Sequence, residues 1–291
     1  MTAPRWLRRG GTDRRANNQG AEERTAIRPL HVAGVGVAAG FLSGLFGVGG
    51  GILIVPGLIL FLRLTQRLAH GTSLAAVLPI ALSGVVGYAL DDTVDWPVAA
   101  FLSAGSVGGA LIGTRLLRIL PGRALGSAFA VLLLATALRL VFDQSDAAGR
   151  GDIDATMALG IVLLGVLSGT LAGLLGVGGG IVMVPAQVVL LSIPAAVAKG
   201  TSLAVMIPTA ISATERNLRN HNADLRVAAV VGVSGVVSAF VASKISIGLD
   251  ERLSNRLFAA LLIVIAVRMA IVAVRRERQP PNQPVESVDP D

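Results

Sequence analysis

Long apolar segments separated by short polar turns run from about residue 30 to residue 274. They form two sets of four: 30–62, 71–90, 96–114 and 124–142, then 156–191, 201–214, 227–243 and 256–274. A membrane helix needs about 20 apolar residues, so the last three segments of each set predict one crossing each, although 201–214 is short. The first segment is too long for one crossing, because its 33 residues would form a helix of ~50 Å in a hydrocarbon core of ~30 Å.

The two sets are copies of each other. A shift of 129 residues aligns 37–142 with 166–271 without a gap. The run GLFGVGGGILIVP at 44–56 recurs as GLLGVGGGIVMVP at 173–185. Each copy is followed by a second shared run, AHGTSLA in the first half and AKGTSLA in the second. The chain is therefore an internal duplication.

Loop charges predict how the segments lie, because short cytoplasmic loops are enriched in Lys and Arg. In the first half, turns 63–70 and 115–123 are basic, whereas loops 91–95 and 143–154 are acidic. This alternation requires that segment 30–62 enters and returns on the same side, as a hairpin broken at GVGGG. Each half then ends on the side opposite its start.

The second half should consequently be inverted relative to the first. Its basic residues lie in 215–226 and in the tail after 274, which are the positions an inverted copy would place in the cytoplasm. Lys244 and Arg252 fit less well, since their loop should lie outside, although Asp250 and Glu251 dilute them. We predict an all-α integral membrane protein of two inverted-topology repeats, each a broken, re-entrant helical hairpin plus three transmembrane helices, with both termini cytoplasmic.

Composition supports a membrane protein, since 53% of the residues are hydrophobic and only 15% are charged. The absence of cysteine excludes disulfides, thiolate metal sites and cysteine nucleophiles. The net charge of +7 comes from tails and short loops, so it indicates topology and not a nucleic-acid partner. The predicted organisation is a disordered basic tail (1–28), membrane repeat 1 (29–143), an acidic linker (144–154), membrane repeat 2 (155–275) and a disordered tail (276–291).

Interrupted helices in inverted repeats are typical of secondary transporters. A break exposes backbone N–H and C=O groups, which are tolerated in a membrane only against protein or a water-filled cavity. The short helices after the breaks would direct their N-termini, which attract anions, at the glycine loops. The predicted substrate-binding residues are Gly47, Gly49, Gly50, Gly51, Thr72, Ser73, Gly176, Gly178, Gly179, Gly180, Thr201 and Ser202.

Other residues have a second interpretation beside the functional one. Glycine runs in membrane helices often serve packing, and Ser or Thr hydroxyls often bond to backbone. His70 and Lys199 precede the GTS runs, which should start the next helices, and could couple transport to an ion or only snorkel to the interface. Asp95 and Asp224 should cap helices. Four prolines are predicted helix kinks or gates: Pro56, Pro79, Pro185 and Pro208.

Enzyme chemistry finds little support. GVGGG lacks the following Lys-Thr or Lys-Ser and the preceding strand of a phosphate loop. His31, His70 and His221 show no metal-ligand spacing, and no serine, histidine and acid grouping lies at membrane depth. We expect no catalytic residues, no metal and no cofactor.

The paired pattern G-x-x-x-G-x-x-G-x-G-G-G-x-x-x-V-P, at Gly40–Pro56 and Gly169–Pro185 with GTSLA after each, resembles the TauE/SafE family of membrane permeases. The resemblance covers about residues 30–274. It implies a multi-pass inner-membrane protein that moves small anions such as sulfite, sulfonates or other organosulfur compounds, often as an exporter.

The predicted function is therefore anion transport by alternating access of the two repeats, with a small anion and the lipid bilayer as partners. The alternatives are a channel-like anion pore and a non-transporting scaffold or sensor subunit. The sequence leaves a homo-oligomer open.

Overall fold

A computed structural model of the protein describes residues 29–116, 134, 137–138, 151, 153–175 and 179–277. In these residues every element of regular secondary structure is a helix, and no strand is present. The helices are α1 (Pro29–Phe46), α2 (Gly51–Leu62), α3 (Gln66–Ala89), α4 (Trp96–Leu116), α5 (Ala155–Leu175), α6 (Gly180–Leu190), α7 (Ala195–Arg219), α8 (Leu225–Gly248) and α9 (Glu251–Glu277). The predicted tails, the segment 124–142 and the linker 144–154 lie wholly or largely outside the described residues.

The first long segment breaks within GVGGG, as predicted. α1 ends at Phe46 and α2 begins at Gly51. Three glycines of the break have left-handed φ angles: Gly47 (69°), Gly49 (78°) and Gly50 (67°). Glycine adopts this region without the steric cost that a Cβ atom imposes. A Cβ on Gly57 would lie 2.8 Å from Cγ1 of Val35, so α2 runs back along α1 as a hairpin.

The second long segment has a matching interruption. α5 ends at Leu175 and α6 begins at Gly180. The residue before α6, Gly179, has φ 77° and ψ −14°, close to φ 67° and ψ −15° at the equivalent Gly50. The predicted site residues Gly176 and Gly178 lie outside the described residues.

The helices that carry the GTSLA runs begin earlier than predicted. α3 starts at Gln66 and α7 at Ala195, so α3 includes a polar first turn before its GTS run, and α7 includes the apolar turn Ala195–Ala198 followed by Lys199. The boundary was wrong because the prediction began each helix at its GTS run, whereas helical hydrogen bonds already form before it, from Ala69 N–H to Thr65 O and from Ala198 N–H to Pro194 O, both at 2.9 Å. Four predicted site residues lie inside these helices and not at their starts: Thr72, Ser73, Thr201 and Ser202.

Four helical stretches of the described residues have the length and apolar composition needed to cross a membrane: Gln66–Ala89, Ala155–Ala172, Ala195–Arg219 and Leu225–Gly248. The segment 201–214, which looked short, belongs to a helix of 25 residues. α8 leaves a stripe of exposed valines along one side, at Val230, Val233, Val237 and Val241. A contiguous apolar surface of this kind suits lipid better than water.

Small residues bring helices from different halves into direct backbone contact. Cβ atoms on Gly36, Gly40 and Gly44 of α1 would lie 2.1–2.2 Å from backbone oxygens of α8. Gly165 and Gly169 of α5 make the equivalent approach to α4, at 2.4 and 2.1 Å. Glycine allows this spacing because a side chain would occupy the space of the neighbouring backbone. The packing interpretation of glycine therefore applies to these positions, outside the GVGGG breaks.

Contacts along these helices give their relative directions. Gly36 and Gly44 of α1 meet Val231 and Ala239 of α8 in the same order, so the two helices are parallel. α3 is also parallel to α8, since Gly232 meets Pro79 and Ser243 meets Gly87.

In contrast, the equivalent helices α3 and α7 are antiparallel. A Cβ on Gly84 would lie 2.8 Å from Leu203, and a Cβ on Gly200 would lie 2.9 Å from Cβ of Tyr88. The contact order therefore reverses along this pair.

Candidate functional site

The two glycine breaks meet in the interior of the protein. A Cβ atom on Gly180 would lie 2.6 Å from the carbonyl oxygen of Gly47 and 2.9 Å from Cα of Val48. Val48 and Gly180 are buried. The N-termini of α2 and α6, which come from different halves of the duplication, therefore begin close to each other.

Met206 of α7 lies against both breaks, beside the place where they meet. Its Cε atom lies 1.7 Å from the position that a Cβ on Gly49 would occupy. Its Sδ atom lies 3.1 Å from the position that a Cβ on Gly180 would occupy. Val77, the equivalent residue of α3, lies 3.5 Å from the same Gly49 position. Both side chains are fully buried. The breaks are thus packed against side chains of α3 and α7.

The buried C-terminal end of α1 has its carbonyls satisfied by other groups. The last carbonyls of a helix have no intrahelical donor. At this end Gly47 N–H donates to Ser43 O at 2.8 Å, Tyr88 Oη donates to Gly44 O at 2.8 Å, and Ser246 Oγ donates to Leu45 O at 2.9 Å. A helix can therefore stop inside the protein without unpaired carbonyls at these three positions.

Lys199 lies beside this helix end. It is 1% exposed, and its Nζ donates to Ser254 Oγ at 2.7 Å and to Ser246 Oγ at 3.2 Å. The ring of Phe258 is 5.7 Å from Nζ, a cation–π distance. The snorkelling interpretation is wrong for Lys199, because its side chain is enclosed by other helices. His70, at the equivalent position of α3, is only half-buried.

Thr72 and Thr201 form reciprocal hydrogen bonds between the halves. Thr201 Oγ1 accepts from the backbone N–H of Asp95, and Thr72 Oγ1 accepts from that of Asp224, both at 2.9 Å. Each aspartate in turn caps the following helix, since Asp95 accepts from Val98 N–H and Asp224 from two N–H groups. The predicted capping roles are therefore confirmed.

Ser202 has a partner that the sequence did not suggest. Its Oγ accepts a 2.9 Å hydrogen bond from Nε2 of Gln187, a fully buried residue of α6. Gln187 Nε2 also donates to Met183 O at 3.1 Å, whereas its Oε1 has no hydrogen-bond partner within the described part of the chain. Ser73, the equivalent of Ser202, is buried in α3.

The four prolines lie inside helices: Pro56 in α2, Pro79 in α3, Pro185 in α6 and Pro208 in α7. Pro79 packs on α8, with its Cγ 2.5 Å from the Cβ position of Gly232. Ser212 donates to Pro208 O at 3.0 Å, one turn back along α7. Their predicted role as kinks or gates stays a prediction.

Comparison with known proteins identifies the family. The model of the family described as "Sulfite exporter TauE/SafE" matches residues 2–140 and 161–289, which is most of the chain. The chain belongs to the TauE/SafE family. The resemblance carried by the paired glycine pattern is thereby confirmed.

Relatives of this TauE/SafE protein are named as membrane transporters. "Probable membrane transporter protein YunE" of Bacillus subtilis is 24% identical over 257 residues, covering 80% of this chain and 92% of its own length. A "Probable membrane transporter protein" of Xylella fastidiosa is 26% identical over 239 residues, with 80% and 92% coverage. No solved structure matches the chain. The protein is thus a membrane protein of a transporter family.

Sequence reasoning missed the polar residues that distinguish the halves of this TauE/SafE protein. Ser106 Oγ and Thr209 Oγ1 lie 2.8 Å apart in a buried hydrogen bond between α4 and α7. In the other half, Gly235 is equivalent to Ser106, Ile80 to Thr209 and Leu58 to Gln187. A search for positions that are polar in one copy and apolar in the other would have found all three residues.

Proposed function

We propose that the protein transports small anions, such as sulfite, sulfonates or other organosulfur compounds, across the inner membrane by alternating access of two inverted repeats. The observation that carries this proposal is the contact between Gly180 of one glycine break and Gly47 and Val48 of the other. Two half-helices from different repeats thereby direct their N-termini towards one buried region.

Backbone groups would provide most of the binding energy. Each helix N-terminus carries about half a positive charge. In α2, Gly51 N–H already donates to Gly49 O at 2.8 Å and Leu53 N–H to Gly50 O at 2.9 Å, and in α6 Val182 N–H donates to Gly179 O at 3.0 Å. An oxyanion between the two helices would therefore be held by the helix dipoles and by N–H groups outside these three bonds, as anions are at other helix N-termini. The predicted hydroxyls of Thr72, Ser73, Thr201 and Ser202 lie on the helices next to the breaks.

Buried charge favours an anion over a cation. The buried polar side chains of the described residues include one basic residue, Lys199, and no carboxylate. A cation substrate would require compensating negative charge inside the membrane. The arrangement therefore supports an anionic substrate of unspecified identity.

Helix directions support the inversion of the repeats. α3 and α7 are equivalent in sequence, and their contacts run antiparallel. The hydrogen bond between Thr72 of the first half and Asp224 of the second is matched by the one between Thr201 of the second half and Asp95 of the first. Exchanging the two halves therefore maps one bond onto the other. A two-fold axis in the membrane plane would produce both features, and alternating access would follow from rocking about it.

One exception to the loop-charge rule has a local explanation. Lys244, in a region that the topology places outside, forms a salt bridge with Asp91 of an outer acidic loop. The pair neutralises the cation that would otherwise oppose the assignment. Arg252 stays an exception, and the other loop charges favour cytoplasmic termini.

Transport assays in proteoliposomes test the proposal. Purified protein is reconstituted, and uptake of ³⁵S-sulfite and of labelled sulfonates is measured against empty liposomes. We expect saturable uptake that accelerates when unlabelled anion is present on the opposite side, because an alternating carrier exchanges substrates. Flux without saturation or acceleration would indicate a channel-like pore instead. Absence of flux from folded protein across the panel would favour a scaffold or sensor subunit.

A further inference from the structure

Buried polar side chains form a broken stripe along one side of α7. Ser202, Met206 and Thr209 follow one another at intervals of four and three residues, so they lie on one face of the helix. Ser202 is paired with Gln187, and Thr209 with Ser106. Met206 is the apolar member between these two hydrogen-bonded pairs.

Met206 also lies where the two glycine breaks meet. Its methyl group occupies the place that a side chain at position 49 would take, and its sulfur lies against Gly180. Any anion that reached the N-termini of both α2 and α6 would have to share this space. Met206 is thus a side chain that contacts both breaks beside the place where they meet.

The chemistry of methionine suits a movable barrier. Its unbranched thioether has three rotatable bonds and can fold aside at small cost. Val77, its equivalent on α3, is β-branched, short and stiff at χ1. The side chain that contacts both breaks, Met206, is thus adaptable, whereas Val77, which contacts Gly49, is rigid.

We infer that Met206 is a movable plug that closes a polar path along α7 and limits the size of the anion that passes the glycine breaks. This inference rests on the proposed transport function for the identity of the passing species. The closure itself is a property of the packing and can be measured without a substrate.

The first experiment measures access. The chain has no cysteine, so Val77→Cys places a single thiol in a fully buried position beside Gly49. Labelling by a small anionic methanethiosulfonate is compared with Met206 intact and with Met206→Ala. We expect the labelling rate to rise by on the order of ten-fold or more when the plug is removed, because reactivity of a buried thiol follows its exposure.

Met183→Ala is the matched control. Met183 is also fully buried, and its Cε lies 3.4 Å from the Cβ position of Gly179, whereas the atoms nearest the Cβ position of Gly49 belong to Met206 and Val77. It should leave the labelling rate of Val77→Cys unchanged. Equal rates with Met206 and with Met206→Ala, or an equal increase in the Met183→Ala control, would overturn the plug.

Met206→Leu is a second variant that tests the plug if Met206→Ala fails to fold. Leucine keeps the volume of the core, so it is better tolerated than alanine, but it ends one atom short of the methionine methyl group. It should fold and give a labelling rate of Val77→Cys between the rate with Met206 intact and the rate with Met206→Ala. A folded Met206→Leu protein with the rate of the Met206 parent would count against the plug.

The second experiment measures selectivity in proteoliposomes. Relative to Met206, Met206→Ala should raise the uptake of a bulky arylsulfonate compared with that of sulfite. An unchanged ratio in a protein that transports sulfite would overturn the size limit. Increased labelling of Val77→Cys together with no anion flux in any variant would leave the plug standing and reject the proposed transport function.

Discussion

Three of the four glycines of the first break are constrained by both their backbone conformation and their neighbours. Gly47, Gly49 and Gly50 have left-handed φ angles. Added Cβ atoms would also meet Lys199 Cα at 2.6 Å, Met206 Cε at 1.7 Å and Ala39 O at 2.6 Å, respectively. Two of these obstacles are backbone or Cα atoms, which cannot move aside as a flexible side chain can. Substitution in the break should therefore alter the local packing and not only its flexibility.

Gly49→Ala should reduce anion uptake strongly while the protein still inserts into the membrane. The left-handed backbone costs an alanine roughly 1–2 kcal/mol, and its methyl group would take the space that Met206 Cε now occupies beside the two breaks. Proteoliposome uptake, normalised to the amount of folded protein, checks the prediction. Gly108→Ala is the control, because nothing lies within 4 Å of the Cβ position at Gly108. Wild-type uptake by Gly49→Ala would contradict the proposed site.

Lys199 has a structural role that its sequence context did not indicate. Its Nζ bonds to Ser246, whose hydroxyl in turn donates to Leu45 O at the C-terminal end of α1. A positive charge is favourable at this end of a helix because the aligned peptide dipoles leave it partly negative. The role of Lys199 and His70 in coupling transport to an ion stays a prediction, in addition to this structural role of Lys199.

Lys199→Met should lower thermal stability in detergent, because a charged donor to two buried hydroxyls is lost. Hydrogen bonds to charged groups contribute about 1.5–3 kcal/mol each, so the decrease should be measurable by scanning fluorimetry. Lys244→Met is the matched control, since Lys244 is on the surface and its salt bridge with Asp91 is exposed. An unchanged melting temperature for Lys199→Met would reject the structural role and leave coupling as its main interpretation.

Helices from opposite halves are joined at their ends by side chain to backbone bonds. α3 of the first half contacts the N-terminus of α8 through Thr72, and α7 contacts that of α4 through Thr201. Glycines next to the threonines, Gly71 and Gly200, allow this approach, since their Cβ positions lie 2.0 and 2.3 Å from backbone oxygens of the opposite half. The G and T of each GTS run therefore serve one close contact.

Thr72→Val and Thr201→Val should each destabilise the protein by about 1–3 kcal/mol, because the aspartate N–H loses its acceptor. Valine keeps the shape of threonine, so the hydrogen bond is the main change. The double variant should be destabilised by about the sum of the two single effects. The sites are far apart because α3 and α7 are antiparallel, which places the two threonines at opposite ends of this helix pair. Thr156→Val, which alters an exposed hydroxyl, is the control. Stability equal to wild type in both single variants would argue against a joining role.

Local sequence predicted those elements that depend on local constraints. GVGGG specified the break because few other residues adopt its dihedral angles, and Asp95 and Asp224 were predicted as caps from their positions before apolar runs. The start of α7 and the partners of Lys199 and Gln187 were not predictable in this way. They depend on packing between residues far apart in the chain, on which the apolar pattern of one segment carries no information.

At the scale of the whole molecule, the two halves share a fold but differ in interior chemistry. Both carry a glycine break, a GTSLA helix and a capped following helix. Only the second half combines a buried lysine before its GTS run with a buried glutamine in its short helix. In an inverted arrangement these residues would face one side of the membrane, so the barriers on the two sides would differ. Such a difference would give the two sides of an alternating carrier unequal kinetics.

Inversion itself is testable by labelling of single cysteines, since the chain contains none. Asp91→Cys and Asn220→Cys occupy equivalent, exposed positions after α3 and α7. In intact cells an impermeant thiol reagent should modify Asp91→Cys, and Asn220→Cys should react only after the membrane is permeabilised. Each variant must retain uptake of the transported anion, which controls for misfolding. Reaction of both thiols from the same side would refute the inverted repeats, because equivalent positions of an inverted pair must lie on opposite faces of the bilayer.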